Sequence, residues 1–457
     1  MTSVLLIYPY FQPRRDRSPF RFPPLGVAYL AAALRQAGHE VRILDCTFLD
    51  RAVAVDRAVK DGAEVVGVYC MVTMLEDALR FSAELRGRCR LLIAGGPLPT
   101  CAPDAFLGPF DVVVRGEGEQ AMLDLLGALE AGAPPATLAG LINRDGSHAV
   151  PGPEPASPPS SRPDLGRELD ALPFPARDLL PNESYIQHGK AKYGYSITTV
   201  MSTRGCPFRC DFCSNVVYGA SYRERSAGNV LDEIEGALEL GYDRISFADD
   251  VFTLHRRRVI ELCEEIQRRG LRFAWECLGR VDSMDPDTAA AMVGAGCTRI
   301  YFGIESGDDR ILALMNKHIT VEQARRAVQT AHRAGLEVGA FFILFYPGET
   351  NETVLNTLRL ATSLPLDYMG LTLPYPLPGT TLHERIKDRI TRDWRPGENL
   401  FTDHVLIFDS EFSETKMRLG LFKGRIQFEM RRRLGRLAPL ALKLFEPPTD
   451  ALLTALR

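Results

Sequence analysis

From residue 4 to about 119 the chain alternates two hydrophobic patterns. Short runs that are apolar throughout, "VLLIYP", "EVRILDC", "EVVGVYCMV", "RLLIAGGP" and "DVVVRGEGE", are separated by stretches such as "LGVAYLAAALRQAGH", where apolar positions recur with a helical period. Strands without a polar face, joined through helices, predict a parallel sheet covered on both sides, so residues 1–147 read as a Rossmann-like α/β domain. Residues 148–176, "HAVPGPEPASPPSSRPDLGRELDALPFPA", are rich in Pro and Ser, lack apolar periodicity before "LPFP", and read as a linker. The βα alternation then resumes with a longer period through "ITTVMSTRG", "RISFADD", "RFAWECLGR", "RIYFGIES", "EVGAFFILFYPG" and "DYMGLTLPYP". Six such units predict a partial (β/α)6 TIM-type barrel over residues 177–390, with active-site residues just after the strands. The region 391–457, with "KGRIQFEMRRRLGRLAPLALKLF", is helical and basic. It reads as a solvated cap over the barrel, with a membrane-surface or lipid-substrate helix as the alternative.

Composition changes this picture little. A chain of 457 residues that is 46% hydrophobic and 25% charged suits two globular domains with a tail. The 54 Lys plus Arg against 58 Asp plus Glu give a net charge of -4, so small molecules rather than nucleic acid are the expected partners. The start, "MTSVLLIYPYF", lacks a basic n-region and a small-residue cleavage site, so no signal peptide is expected, and no apolar stretch is long enough to span a bilayer. The ten cysteines are therefore expected in a reducing cytoplasm, where clustered thiols point to metal binding or catalysis.

Three of them, Cys206, Cys210 and Cys213, fall in "TRGCPFRCDFCS", residues 203–214, with no fourth Cys or His close by. A structural zinc site needs four protein ligands and would have to recruit a distant donor. A four-iron cluster on three thiolates keeps one iron open to chemistry. The Cys-x3-Cys-x2-Cys spacing, on the loop after the first barrel strand, resembles the radical S-adenosylmethionine (radical SAM) superfamily, and the resemblance runs from about residue 196 to 385. It implies that the three cysteines ligate a [4Fe-4S] cluster that chelates SAM. One electron, from a donor such as flavodoxin or ferredoxin, would then cleave SAM to a 5′-deoxyadenosyl radical. Phe212, the aromatic before the last cysteine, would by the same resemblance pack near the adenine.

The other strand ends carry further candidates. Asp249 and Asp250 in "FADD" stand where the family often has Gly-Gly-Glu for the SAM amino group; the wording departs, and helix N-capping is the competing use. Glu276 and Arg280, in "WECLGRVD", alternate along the third strand and share a face, where charge needs a partner: SAM, or each other. "GIESGDD" resembles the family's Gly-Ile-Glu-Ser signature, which implies SAM contacts from Glu305 and Ser306 unless the serine only caps a helix. "FYPGET" and "PYPLPGT" end the last two strands, and Tyr346 and Tyr375 there are candidate substrate contacts or aromatic stoppers at the barrel mouth.

The first domain has no Gly-x-Gly-x-x-Gly after its first strand, which leaves a dinucleotide poorly supported. Its order of "FPPLGVAYLAAALRQAGHEVRILD", "LLIAGGPLPT" and "VVVRGEGEQAMLDLL" resembles the cobalamin-binding domain of cobalamin-dependent radical SAM enzymes. The resemblance implies that Gly95 and Gly96 admit the nucleotide tail, that Val72, Thr73 and Met74 approach the lower corrin face, and that Gly116 and Glu117 of "RGEGE" complete the site. An ordinary strand-to-helix turn is the competing use of the glycines. No Asp-x-His-x-x-Gly motif supplies an axial histidine, and His39 reads as a surface helix-end residue. Cobalamin held without a protein histidine, or a degenerate domain that binds none, are the two readings; the first favours giving up a methyl group. Cys46, Cys70, Cys89 and Cys101 match no ligand spacing, against a methylthiotransferase with a second cluster, and Cys46 and Cys70 read as core.

The expected function is a cobalamin-dependent radical SAM methyltransferase acting on an unactivated carbon of a small-molecule, natural-product intermediate. One SAM would yield the radical, methylcobalamin the methyl group, and a second SAM would restore the corrin. A cyclase or rearrangement enzyme of the same architecture, a methylthiotransferase, and a non-catalytic cobalamin carrier are the alternatives.

Overall fold

The computed structural model describes residues 1–11, 21–132, 140–143, 169–392 and 406–456. Most of the expected linker lies outside the described residues. The chain divides into two compact units, one formed by Met1–Pro207 with Asn215–Ile245, the other by Phe208–Ser214 with the described residues from 246 onward.

In the first unit, β1 (Ser3–Tyr8), β2 (Glu40–Asp45), β3 (Val65–Tyr69), β4 (Leu91–Gly95), β5 (Val112–Val114) and β6 (Leu141–Asn143) form a sheet in the order β2-β1-β3-β4-β5-β6. Helices α1 (Leu25–Gln36), α2 (Arg51–Asp61), α3 (Leu75–Leu85), α4 (Pro97–Cys101) and α5 (Gly118–Glu130) connect the first strands and follow β5. Five strands are parallel, with Ser3 opposite Glu40 and Val4 opposite Val65. Only β6, three residues long and too short to carry a hydrophobic pattern, runs antiparallel. Val4, Leu6, Val65, Ile93 and Val114 pack with Val27, Ala31 and Leu34 of α1 and with Met122, Leu125 and Leu126 of α5. Each large aliphatic side chain so enclosed contributes about 2 kcal/mol. The strand order reverses between β1 and β3, and an open α/β sheet leaves a crevice beyond the strand ends at such a point.

The first unit continues with α6 (Asn182–Tyr193), β7 (Ile197–Val200), a hairpin of β8 (Thr203–Arg204) with β9 (Arg223–Glu224), and α7 (Ala227–Glu239). The run expected as one strand, "ITTVMSTRG", is therefore two: β7 stops at Val200 and β8 turns away to pair with β9. Glu233 of α7 is buried, a position that costs several kcal/mol for a carboxylate without partners. Arg177 at 2.6 Å, Arg225 at 2.5 Å and the Tyr29 hydroxyl at 2.8 Å offset that cost. His39 departs from its expected surface position: its side chain is nearly enclosed, with Nδ1 accepting from the Thr2 N–H at 3.4 Å.

The second sheet adds β10 (Arg244–Phe247), β11 (Ala274–Gly279), β12 (Cys297–Glu305), β13 (Glu337–Ile343) and β14 (Tyr368–Thr372) in the order β14-β13-β12-β11-β10-β7. Each strand neighbours the one before it in this sheet, which is the winding of a partial (β/α) barrel. Helices α8 (Arg256–Arg268), α9 (Pro286–Gly294), α10 (Asp309–Leu314), α11 (Val321–Arg333) and α12 (Asn351–Ser363) intervene. In α8 the buried residues are Val259, Leu262, Cys263 and Ile266, and in α11 Ala324, Ala327, Val328 and Ala331, both one stripe at i, i+3, i+4, i+7. A reciprocal capping box of Thr320 and Gln323 starts α11. The chain ends with α13 (Thr381–Ile386), α14 (Glu414–Leu434) and α15 (Ala438–Ala455). Among the described residues no helix is long and apolar enough to cross a membrane.

Candidate functional site

A cavity of about 390 Å³ opens in the first unit where its strand order reverses. Leu6 to Tyr8 at the end of β1 and Gly67 to Tyr69 at the end of β3 line it, with Gly95, Gly96, Gly116 and Glu117 from the turns after β4 and β5. Leu25, Leu30, Met201 and Val217 make its walls apolar, and no histidine is among its lining residues. Gly96 has φ +108°, and a Cβ there would stand 2.9 Å from the Cys70 carbonyl oxygen and 3.1 Å from the Tyr69 ring. Only glycine leaves the backbone open at that point. Val72, Thr73 and Met74 form a single 3-10 turn into α3, with Met74 in the core, and are not among the residues that line this cavity.

Glu117, on the cavity wall, also anchors a neighbouring hairpin. Arg204 Nη1 donates to its Oε2 at 2.7 Å, Arg223 donates to its Oε1, and the second Arg204 nitrogen reaches Glu119 at 2.7 Å. Arg204 and Arg223 are opposite residues of the β8–β9 pair, where like charges repel unless an anion lies between them. Arg204 is also stacked on Tyr29 and Tyr218, each ring centroid at 5.2 Å. The hairpin holds the first cysteine: the Cys206 N–H donates to Gly219 O at 3.2 Å. At Gly205, φ +89°, a Cβ would fall 1.8 Å from the Ser221 carbonyl oxygen. Sequence reasoning passed over Arg204, although a charge between an apolar strand and a cysteine loop is itself a signal.

In the second unit, the Cys213 N–H donates to Cys210 O at 3.0 Å, and Asp211 between them is tied down by three groups. Its N–H donates to Met315 O at 2.9 Å, and its carboxylate accepts from the Tyr346 hydroxyl at 2.5 Å and from Arg385 at 2.9 Å. Arg280 lies 3.5 Å over the Phe208 ring, pairs with Asp282 at 2.9 Å and donates to Lys317 O at 3.1 Å. The Lys317 ammonium is 3.1 Å from Glu305 and 5.8 Å from the Phe212 ring centroid. Burial pushes the Cys210 thiol up, while Lys317 and Arg280 pull it down. Thus Cys210, Phe212, Arg280, Glu305 and Lys317 form one cluster. Lys317 was not foreseeable from periodicity, since it sits in the turn after α10. One of its three N–H donors goes to Glu305 Oε1.

Glu305 is a non-glycine residue at φ +70°, where β12 shifts register against β13. Backbone strain of that kind persists only where neighbours enforce it. Asp249 is buried and Asp250 open to solvent, its carboxyl pushed up to about 6 by its desolvating surroundings and then by Asp249. Neither caps α8, whose N-cap is His255. Glu276 is buried, with Arg299 at 3.4 Å and the Ser246 hydroxyl at 3.3 Å. Tyr346 is fully buried against Asp211 and the edge of Phe212. Ser306 is fully buried too, with its Oγ accepting from the Asp308 N–H and paired with Thr357. Tyr375 is half-buried, and burial raises its phenol.

Three free thiols on one loop, without a histidine or fourth cysteine beside them, are a donor set that fits three irons of a four-iron cluster better than a closed four-ligand zinc centre.

Comparison with known proteins agrees with this geometry. The profile of the radical SAM superfamily matches residues 200–361, and that of the B12 binding domain matches residues 14–126. An uncharacterised methyltransferase of Pyrococcus horikoshii is 35% identical over 424 residues, covering 90% of this chain and 88% of that one. Anaerobic magnesium-protoporphyrin IX monomethyl ester cyclase of Cereibacter sphaeroides is 28% identical over 85% of this chain and 64% of its own length. Among solved structures, the radical SAM methyltransferase TsrM of Kitasatospora setae, with cobalamin and a [4Fe-4S] cluster bound, shares the fold at a TM-score of 0.71 and 21% identity, covering 85% of this chain and 78% of that one. The chain belongs to the radical SAM superfamily, in the group whose members carry a B12 binding domain. Its cofactors are accordingly a [4Fe-4S] cluster, SAM and cobalamin.

Proposed function

We propose that the protein is a cobalamin-dependent radical SAM methyltransferase that places a methyl group on an unactivated carbon of a small molecule, a natural-product intermediate. Likeness to a methyltransferase through both domains at once is the observation that supports this most. Bound together, the three cofactors supply the radical and the methyl group. The chain's own residues hold and shield them. Cys206, Cys210 and Cys213 would take the cluster. Arg280 and Lys317 present two cations beside Cys210, suited to the SAM carboxylate, with Glu305 orienting Lys317. Asp250 is the accessible acid at the second strand end for the SAM amino group. The cavity's glycines leave room for cobalamin and its apolar walls exclude water. A flavodoxin or ferredoxin would deliver the electron, and ten free cysteines fit a reducing cytoplasm.

The test is product analysis with reconstituted protein, reductant, SAM and extracts or candidate small molecules. The methyltransferase reading expects 5′-deoxyadenosine and S-adenosylhomocysteine to form together. The likeness to a cyclase supports a second reading, under which 5′-deoxyadenosine forms without S-adenosylhomocysteine.

A further inference from the structure

Six of the fourteen exposed large apolar side chains among the described residues lie on α14, α15 and the turn between them. The others are scattered over separate elements, which is the ordinary condition of a protein surface. At the tip of this helical hairpin Leu434, Leu437, Leu440 and Leu444 are 40%, 67%, 65% and 74% exposed. The last three stand at i, i+3 and i+7, one outward stripe. A solvated cap would turn its polar residues outward, and this one turns leucines. From Met430 to Phe445 the sequence holds five Lys or Arg and no Asp or Glu. Arg432, Arg433 and Lys443 are exposed there, and Glu429 alone offsets the two arginines, at 3.1 and 2.9 Å.

We propose that this tip is a docking surface for an anionic lipid bilayer, with the leucines entering the acyl boundary and the cations meeting the phosphates. Apolar residues interleaved with Lys and Arg on a helix too polar to span are the composition of an interfacial helix. The charge is local: on a chain with a net -4, this tip offers a negative surface five Lys or Arg without an intervening acid. A second copy of the chain fits less well. A two-fold contact through this tip would bring two equally basic surfaces together. The rest of the hairpin is fastened to the second unit by polar groups. Arg359 of α12 reaches Asp450 at 2.9 Å, Arg431 donates to Thr362 O of α12 at 2.5 Å, and Lys423 joins the two hairpin helices through Asp450 at 2.8 Å. A tip on a fixed stem is what insertion requires.

The experiment is flotation of the full-length protein with vesicles of phosphatidylcholine containing about a quarter phosphatidylglycerol, and with phosphatidylcholine alone. Wild type should float with the anionic vesicles at least about tenfold better than with the neutral ones, and less as salt rises. Leu437→Ser/Leu440→Ser/Leu444→Ser should lose flotation with little change in melting temperature, because these side chains are mostly exposed. Arg432→Gln/Arg433→Gln should lose the preference for anionic lipid. Equal flotation of wild type and the leucine variant overturns the proposal. So does a dimer by ultracentrifugation that the leucine variant abolishes, in wild type that ignores vesicles.

Discussion

Glu349 sits enclosed in the turn after β13. Its Oε2 accepts from the Tyr346 N–H at 2.9 Å, and its Oε1 has no hydrogen-bond partner among the described residues. Burial pushes its carboxyl up to about 8 from an ordinary 4.5. The folded protein therefore keeps this proton through a range in which the unfolded chain has released it. Folding then binds more protons than unfolding, so this group makes stability fall as pH rises from about 4.5 to about 8 and adds no further slope above that. Glu349→Gln keeps the shape without titrating and should be the more stable protein at pH 8. Urea midpoints across that range check it, and parallel curves for the two proteins would refute it. At this scale the sequence is uneven. The cysteine spacing is legible because the cluster dictates it, and Gly96 because the backbone needs an absent side chain. Lys317, and the burial of Tyr346 and Ser306, depend on neighbours far along the chain, which no local pattern carries.

The β8–β9 hairpin shows how little of an element can be enough. Two residues on each side carry two opposed arginines, and Glu117 joins them. Glu117→Gln would leave two enclosed guanidinium groups facing each other, a loss of about 3 kcal/mol. The same variant should retain corrin while losing iron on reconstitution, since the cavity keeps its shape and the Cys206 support does not; normal iron content would show the hairpin to be held otherwise. The turn after β4 behaves in the opposite way. Gly96→Ala, strained by about 2 kcal/mol at a backbone angle suited to glycine, should keep its iron and lose its corrin, read from the absorbance of the purified protein. Elements with a clear period, α8 and α11 among them, are plain in the sequence. The break between β7 and β8 is not, because "MSTR" continues a β-like run and only the pairing with β9 separates them.

For the whole molecule, the cavity's lining residues all lie in the first unit and include none of the three cysteines. Replacing Cys206, Cys210 and Cys213 with alanine should thus abolish iron binding and leave corrin stoichiometry intact, measured by metal analysis and absorbance on one sample. Loss of both together would mean that the cavity forms only around the cluster. The parallel winding of both sheets was readable from continuous apolar strands alternating with helices. The exposed leucine tip was not, since a leucine stripe on a helix has the same spelling whether it faces a core or the outside.

Gly96 finally has a meaning in heredity. Any base change in the first two positions of a glycine codon brings in a side chain or a stop, and every such side chain begins with the Cβ that the Cys70 carbonyl and Tyr69 exclude. The position has no neutral neighbours in mutational space. A lineage that keeps this turn must keep this glycine, so the opening it leaves in the cavity wall is inherited together with the fold.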